Sequence, residues 1–189
     1  MKIPISYPSS TLRYGTVAMV LHWLLALYLF GIFAVGIYMA DLPFSPQRLQ
    51  LYSWHKWAGV IFLLLSVGRL LWRLTHRPPA LPDRVQRAMP GWQMAAYRAT
   101  HGVMYLLFLV VPLVGWAYSS AAGFPVVLFG VLQLPDFVPV DKALAELIKP
   151  WHERTAFLLM ALVVLHIAAA LKHQWVDKDG LLQRMLPKW

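Results

Sequence analysis

The chain has 189 residues, enough for one domain. Hydrophobic residues make up 59% of it, charged residues only 13%, and the mean hydropathy is +0.56, which excludes a soluble fold because one core could not bury this much apolar surface. The absence of cysteine excludes thiolate ligands, iron–sulfur clusters and disulfides. We attribute the net charge of +9 to membrane topology and to contact with anionic lipid, and we expect no nucleic-acid partner.

Four apolar segments predict an all-α, integral membrane four-helix bundle that forms one domain over residues 1–189. The predicted spans are residues 17–39, 54–74, 95–119 and 151–173. Each has about 20 residues or more, and a rise of ~1.5 Å per residue carries such a helix across a ~30 Å hydrocarbon core. The N-terminal 15 residues do not resemble a secretory signal, because the apolar run that follows is too long and lacks a small-residue cleavage site.

Three features modify this simple pattern. Pro112 lies inside the third span and predicts a kink there. Residues 123–134 are apolar but too short to cross the membrane, which predicts a re-entrant or interfacial loop. Residues 141–149 are predicted to form a short surface helix ahead of the fourth span.

The distribution of basic residues predicts that both termini are cytoplasmic. Four spans place the termini and the second connection on one side, which carries twelve Lys and Arg residues against five on the other side, and the basic side of a membrane protein faces the cytoplasm. The twelve are Lys2, Arg13, Arg69, Arg73, Arg77, Arg84, Arg87, Arg98, Lys172, Lys178, Arg184 and Lys188. The five are Arg48, Lys56, Lys142, Lys149 and Arg154.

Four histidines lie in these apolar runs, where ionisable groups are costly and usually mark a cofactor or a proton or electron path. His152 and His166 are fourteen residues apart, which places both on one face of a helix and roughly 21 Å apart along it. His55 matches the depth of His152, and His22 matches that of His166. We therefore expect an outer pair, His55 with His152, and an inner pair, His22 with His166.

Neutral imidazole is a strong ligand of haem iron, and two axial imidazoles favour one-electron transfer over oxygen binding. The pattern thus predicts two haems, one for each pair. The alternative is that each histidine is a core residue bonded to a backbone carbonyl.

The remaining polar residues near the spans leave alternatives open. His101, Lys172 and His173 are candidates for a quinone and proton site at the cytoplasmic end, or are side chains that reach interfacial water. Arg69 and Arg154 are candidate partners of the haem propionates, or interfacial anchors. His76 is expected in a solvated loop. Glycines in the spans either admit a porphyrin or serve ordinary helix packing; they are Gly59, Gly68, Gly102 and Gly115.

An ordered series of motifs resembles the bacterial cytochrome b561 family over nearly the whole chain. The motifs are LHW at 21–23, HKWAG at 55–59, GRLLWRLTHRPP at 68–79, THGVMYLLFLVVPLVGW at 100–116, KPWHE at 149–153 and LHIAAALKHQWVDKDGLLQRML at 165–186. The resemblance implies a single cytochrome b561-type transmembrane domain with two haem b groups, one held by His22 and His166 and the other by His55 and His152.

The resemblance also implies two kinds of function. Some members oxidise superoxide at the outer face and reduce ubiquinone, and others are cytochrome subunits that serve a partner such as a hydrogenase. We expect a bacterial inner-membrane protein that moves electrons from a periplasmic donor to ubiquinone, a superoxide:ubiquinone oxidoreductase-like activity. In that case Lys56, Lys149 and Arg154 would attract the anion.

Two alternatives remain. In the first, the chain is a cytochrome b anchor that relays electrons for a partner dehydrogenase, hydrogenase or periplasmic redox protein. In the second, it is a metal-ion transporter. The transporter is disfavoured because the histidine pairs lie toward opposite faces and do not cluster with carboxylates near the midplane.

Overall fold

The computed structural model describes residues 13–186, and their secondary structure is predominantly helical. The elements in chain order are α1 (Thr16–Asp41), α2 (Pro46–Thr75), α3 (Asp83–Ala88), α4 (Gly91–Ala121), β1 (Val127–Leu128), β2 (Leu132–Gln133), α5 (Lys142–Lys172), a π-helical turn (His173–Asp177) and a 3₁₀ helix (Leu182–Met185). Residues 1–12 and 187–189 lie outside the described part, and with them Lys2, Lys188 and most of the N-terminal segment judged not to be a signal.

The four long helices α1, α2, α4 and α5 are each long and apolar enough to cross a membrane, which confirms the predicted four-helix membrane bundle. Helix α4 runs without a break through Pro112. In sequence order each helix packs on a neighbour, α1 on α2, α2 on α4 and α4 on α5. Many large apolar side chains on their outer faces are exposed, as expected for surfaces that contact lipid.

Helices α2, α4 and α5 begin earlier than hydropathy predicts, at Pro46, Gly91 and Lys142. Side-chain caps, and not apolar runs, set the starts of α2 and α5. Helix α2 begins at Pro46, where the side chain of Ser45 accepts a hydrogen bond from the Arg48 N–H at 3.2 Å. Helix α5 begins at Lys142, where the Asp141 carboxylate accepts hydrogen bonds from the N–H groups of Ala143 and Leu144. Residues 142–149 are therefore the first two turns of α5, and the expected separate surface helix at 141–149 is not present.

The apolar segment at 123–134 is a small antiparallel hairpin of β1 and β2, not a membrane-crossing helix. Helix α2 holds it in place. The Lys56 ammonium donates to the carbonyls of Phe124 and Pro125 at 3.2 and 3.1 Å, and the Trp57 indole donates to Val127 at 2.5 Å. The hairpin therefore covers the bundle end that contains His55.

All four long helices contribute to the buried core. Its members are Leu25, Leu29, Phe62, Met104, Leu107, Leu159 and Val163. On α5 the core residues lie between His152 and His166, and on α1 and α2 they follow His22 and His55 along the chain. The apolar core therefore separates the two histidine positions along the bundle.

Candidate functional site

The four span histidines meet in two pairs at opposite ends of the bundle. The ring centres of His55 and His152 are 6.2 Å apart, and those of His22 and His166 are 6.3 Å apart. The ring planes are nearly perpendicular, at 82° and 75°. An imidazole nitrogen lies about 2 Å from a metal that it ligates and roughly 1 Å from its ring centre, so two rings on opposite sides of one iron have centres about 6 Å apart.

Backbone groups orient the rings of the pair formed by His55 and His152. Nδ1 of His152 donates to the Val111 carbonyl at 3.0 Å. Because a carbonyl can only accept, this bond places the proton on Nδ1 and leaves Nε2 as the free ligand nitrogen. Nδ1 of His55 is buried near the backbone of Ile32 but does not reach hydrogen-bond geometry.

The same two rings pack against glycines of neighbouring helices. A Cβ placed on Gly115 would lie 2.7 Å from Cε1 of His152, and one on Gly36 would lie 3.1 Å from Cε1 of His55. Contacts this short are not tolerated without a shift, so the glycines allow the rings to approach the backbone. Gly115 was among the glycines singled out in the sequence, whereas Gly36 was missed. The available signal was a shared spacing. Gly36 lies four residues after Ile32, just as Gly115 lies four residues after Val111, and the backbones of Ile32 and Val111 lie next to the two rings.

A cavity of about 760 Å³ adjoins this pair and lies between all four long helices. Its lining includes both histidines and both glycines. The volume falls within the roughly 300–1,000 Å³ range of cofactor and ligand pockets. Its polar lining is of mixed charge, with Arg48, Lys56 and Lys149 but also Asp41 and Glu153.

The other pair has a third histidine beside it. The ring of His101 lies 5.1 Å from that of His166, at 88°, and its Nδ1 bonds to the Tyr97 carbonyl at 2.8 Å. The His101–His166 spacing is too short for two rings on opposite sides of one iron, which favours His22 as the partner of His166.

Lys172 and His173 lie together where α5 passes into the π-helical turn. Asp177 joins them, at 2.7 Å from the Lys172 ammonium and 3.0 Å from Nδ1 of His173, and Asp179 lies 2.6 Å from the same Nδ1. Of the candidate quinone residues, Lys172 and His173 lie together with two carboxylates, and His101 lies beside His166. Asp177 and Asp179 were missed in the sequence. The available signal was that they lie two residues apart, four and six residues after His173.

A family model described as prokaryotic cytochrome b561 matches residues 13–188. The chain belongs to the prokaryotic cytochrome b561 family. It is 33% identical to cytochrome b561 homolog 2 of Escherichia coli K12 over 97% of this chain and 96% of that protein. It is 29% identical to cytochrome b561 homolog 1 of the same organism, over 93% and 98%. It is 28% identical to the probable superoxide oxidase CybB of Yersinia pestis, over 93% and 97%.

Membership makes the chain a membrane cytochrome b of electron transfer and implies that it binds haem b. The residues present fit that group. Without cysteine in the sequence, the strong iron ligands are imidazoles, and Nε2 of His152 is free for ligation. Gly36 and Gly115 let the rings of His55 and His152 lie against the backbone, and the adjoining cavity provides room for a planar macrocycle.

The two arginines expected near the propionates of this cytochrome lie in different surroundings. Arg69 donates from Nε to the Tyr105 hydroxyl at 3.2 Å, and Tyr105 lies one helical turn beyond His101, whose ring is 5.1 Å from that of His166. Arg154 is exposed, lies 5.8 Å over the Trp151 ring, and is not among the residues that line the cavity. Only Arg69 is therefore beside a histidine pair in this structure.

The C-terminal segment of the cytochrome, residues 181–186, ties three parts of the chain together near His22. The Tyr14 N–H donates to the Arg184 carbonyl at 3.2 Å, and the Trp23 indole donates to Met185 at 2.8 Å. The buried Arg184 guanidinium donates to the carbonyls of residues 79 and 80 at 3.0 and 2.8 Å. These contacts span more than one hundred residues of sequence and were not predicted.

Proposed function

We propose that this cytochrome binds two haem b groups and carries electrons across the bacterial inner membrane from a periplasmic donor to ubiquinone. The observation that carries the proposal is that two imidazole pairs lie at opposite ends of one bundle, with ring centres 6.2 Å apart in one pair and 6.3 Å apart in the other. A haem held by two imidazoles supplies one-electron oxidation and reduction. The chain's own residues supply ligation, orientation and a dry interior.

In this proposal His55 and His152 ligate the outer iron, and His22 and His166 ligate the inner iron. The Val111 carbonyl fixes the tautomer of His152 and leaves Nε2 as the nitrogen that would ligate the iron. The apolar core between the pairs excludes water from the interior of the bundle. Two haem positions, each near one membrane surface, suit electron transfer between the two sides of the membrane.

The proposed orientation places both termini in the cytoplasm. Among the described residues, ten Lys and Arg lie on the side of the termini and five lie on the other side, which supports this assignment. The outer pair is then periplasmic and the inner pair cytoplasmic. We assign quinone reduction and proton uptake to the cytoplasmic end, where Lys172 and His173 form a polar group with two carboxylates and His101 borders the inner pair.

Superoxide is the proposed donor. A relative that is 28% identical is named a probable superoxide oxidase, and Arg48 and Lys149 line the outer cavity, where their positive charge attracts an anion. Lys56 also lines the cavity but donates to two loop carbonyls, and Asp41 and Glu153 oppose the attraction of an anion. The electrostatic attraction of superoxide to the cavity is therefore modest and should weaken further as the salt concentration rises.

Haem counting in single-histidine variants tests the two-haem proposal. His152→Ala or His55→Ala should lower the content from two haems per chain to one, and His22→Ala or His166→Ala should remove the other haem. His76→Ala is the matched control, because His76 stacks on Trp72 outside both pairs and should leave two haems. The pairing is wrong if His22→Ala and His166→Ala remove different haems in a redox titration.

Stopped-flow mixing with superoxide tests the donor and the acceptor. The purified protein with bound haem should be reduced by superoxide faster than superoxide disproportionates, and should then reduce added ubiquinone. Absence of reduction by superoxide, together with rapid reduction by a purified dehydrogenase or periplasmic redox protein, would instead support a relay subunit.

A further inference from the structure

Two arginines of α2 share one tyrosine beside the inner histidine pair. Arg69 and Arg73 are one helical turn apart, and their guanidinium carbons lie 5.8 and 5.5 Å from the centre of the Tyr105 ring. Arg69 also donates to the Tyr105 hydroxyl. Both arginines and Tyr105 are half-buried. The ring of Tyr105 therefore contacts two cationic groups from one face of α2.

This arrangement has a cost that an anion would remove. Like charges four residues apart on a helix repel each other. Among residues 13–186, no carboxylate lies within ion-pair distance of Arg69 or Arg73, since the ion pairs found there involve Lys172 and His173. Planar guanidinium groups bind carboxylates and phosphates with paired hydrogen bonds. Two of them, held together without an acidic partner, are suited to an anionic ligand.

The location identifies the anion. Arg69 and Arg73 both contact Tyr105, which lies one helical turn beyond His101, and the ring of His101 is 5.1 Å from that of His166. An anion between the two guanidinium groups would therefore be next to the imidazoles that we assign to the inner haem. Haem b carries two carboxylates on one edge. The Tyr105 hydroxyl accepts from Arg69, so its own O–H remains able to donate to one of them.

We propose that Arg69, Arg73 and Tyr105 form the binding site for the propionates of the inner haem and that they hold its reduction potential above that of the same haem without them. The inference rests on the proposed function, because it needs a haem at His22 and His166. The outer cavity differs, since its lining mixes Lys56 and Lys149 with Asp41 and Glu153.

Redox titration of Arg69→Gln and Arg73→Gln tests this site. Loss of either cation leaves a carboxylate less compensated and favours the ferric state. We expect the ratio of reduced to oxidised inner haem at a fixed ambient potential to fall about tenfold, which is about 59 mV for one electron. The inner haem is identified by its loss in His166→Ala. The outer haem of the same molecule should keep its potential and shows that the variant is folded.

Arg77→Gln and Arg98→Gln are the matched controls, because both arginines are exposed and on the same side of the membrane. The propionate site is wrong if Arg69→Gln and Arg73→Gln both leave the reduction potential of the inner haem unchanged, or if the two control variants shift that potential equally. Arg73→Lys should give a smaller shift, because charge is kept and the paired bonds are lost. It replaces Arg73→Gln if that variant binds no haem.

A lipid phosphate is the competing occupant. Titrations in nanodiscs of phosphatidylcholine and of phosphatidylglycerol distinguish it. The effect of Arg73→Gln should be the same in both lipids and in phospholipid-free detergent. An effect that requires phospholipid would overturn the propionate assignment. In each case a wild-type protein with two haems leaves the proposed function standing.

Discussion

The two ends of the bundle place a pair of imidazoles at the same spacing by different means. At the outer end, each ring lies against a glycine of a neighbouring helix, Gly36 or Gly115. At the inner end, a third histidine, two arginines on one tyrosine and the C-terminal segment surround the pair. The spacing of the histidine rings is thus the same at both ends, whereas the residues that surround each pair differ. Steric changes should therefore affect the outer end, and loss of charge or of tethers should affect the inner end.

The largest expected effect comes from Gly115→Ala. The new Cβ would lie 2.7 Å from Cε1 and 3.0 Å from Nδ1 of His152, so the ring must move from its position on the Val111 carbonyl. We expect loss of the outer haem, measured as a fall from two haems to one per chain. Gly36→Ala should have a weaker effect, because its closest approach is 3.1 Å.

Gly31→Ala is the control for these two variants, because a Cβ there meets no atom within 4 Å. It should retain two haems. If Gly115→Ala also retained two haems with unchanged spectra, the close packing of His152 on α4 would have no part in holding the ring.

A smaller effect is expected from Arg184→Met at the inner end. The substitution removes the charged donor to the carbonyls of Pro79 and Ala80, and a hydrogen bond to a charged group contributes about 1.5–3 kcal/mol. Thermal unfolding followed by haem absorbance should show release of the inner haem at a lower temperature, before the outer haem. Arg98→Met at an exposed position should release both as in the wild type. Earlier release of the outer haem would contradict the assignment of this segment to the inner end.

The smallest expected effect is that of His101→Ala on haem content. His101 bonds to the Tyr97 carbonyl, and its ring is only 5.1 Å from that of His166, which does not suit a shared iron. Two haems should therefore remain, with a shifted spectrum for the inner one only. A variant with one haem would make His101 a ligand and would remove the distinction between His22 and His101.

The sequence was sufficient for the fold because membrane spans are set by hydropathy and length, and the four long helices follow directly from them. The histidine grouping was also predictable, because depth along straight helices is fixed by residue number. The starts of α2 and α5 were not, since Ser45 and Asp141 cap them in polar stretches that hydropathy does not recognise. The contacts of Trp23 and Arg184 join residues that are far apart in sequence, and no local pattern predicts them.

Electron paramagnetic resonance of the oxidised protein with bound haem tests most directly whether each histidine pair ligates one iron through both rings. Nearly perpendicular imidazole planes, 82° and 75° here, give low-spin ferric iron a spectrum dominated by one very large g value. We predict two such low-spin signals, one lost in His152→Ala and the other in His166→Ala. A high-spin signal that accounts for one haem per chain in the wild type would contradict the account.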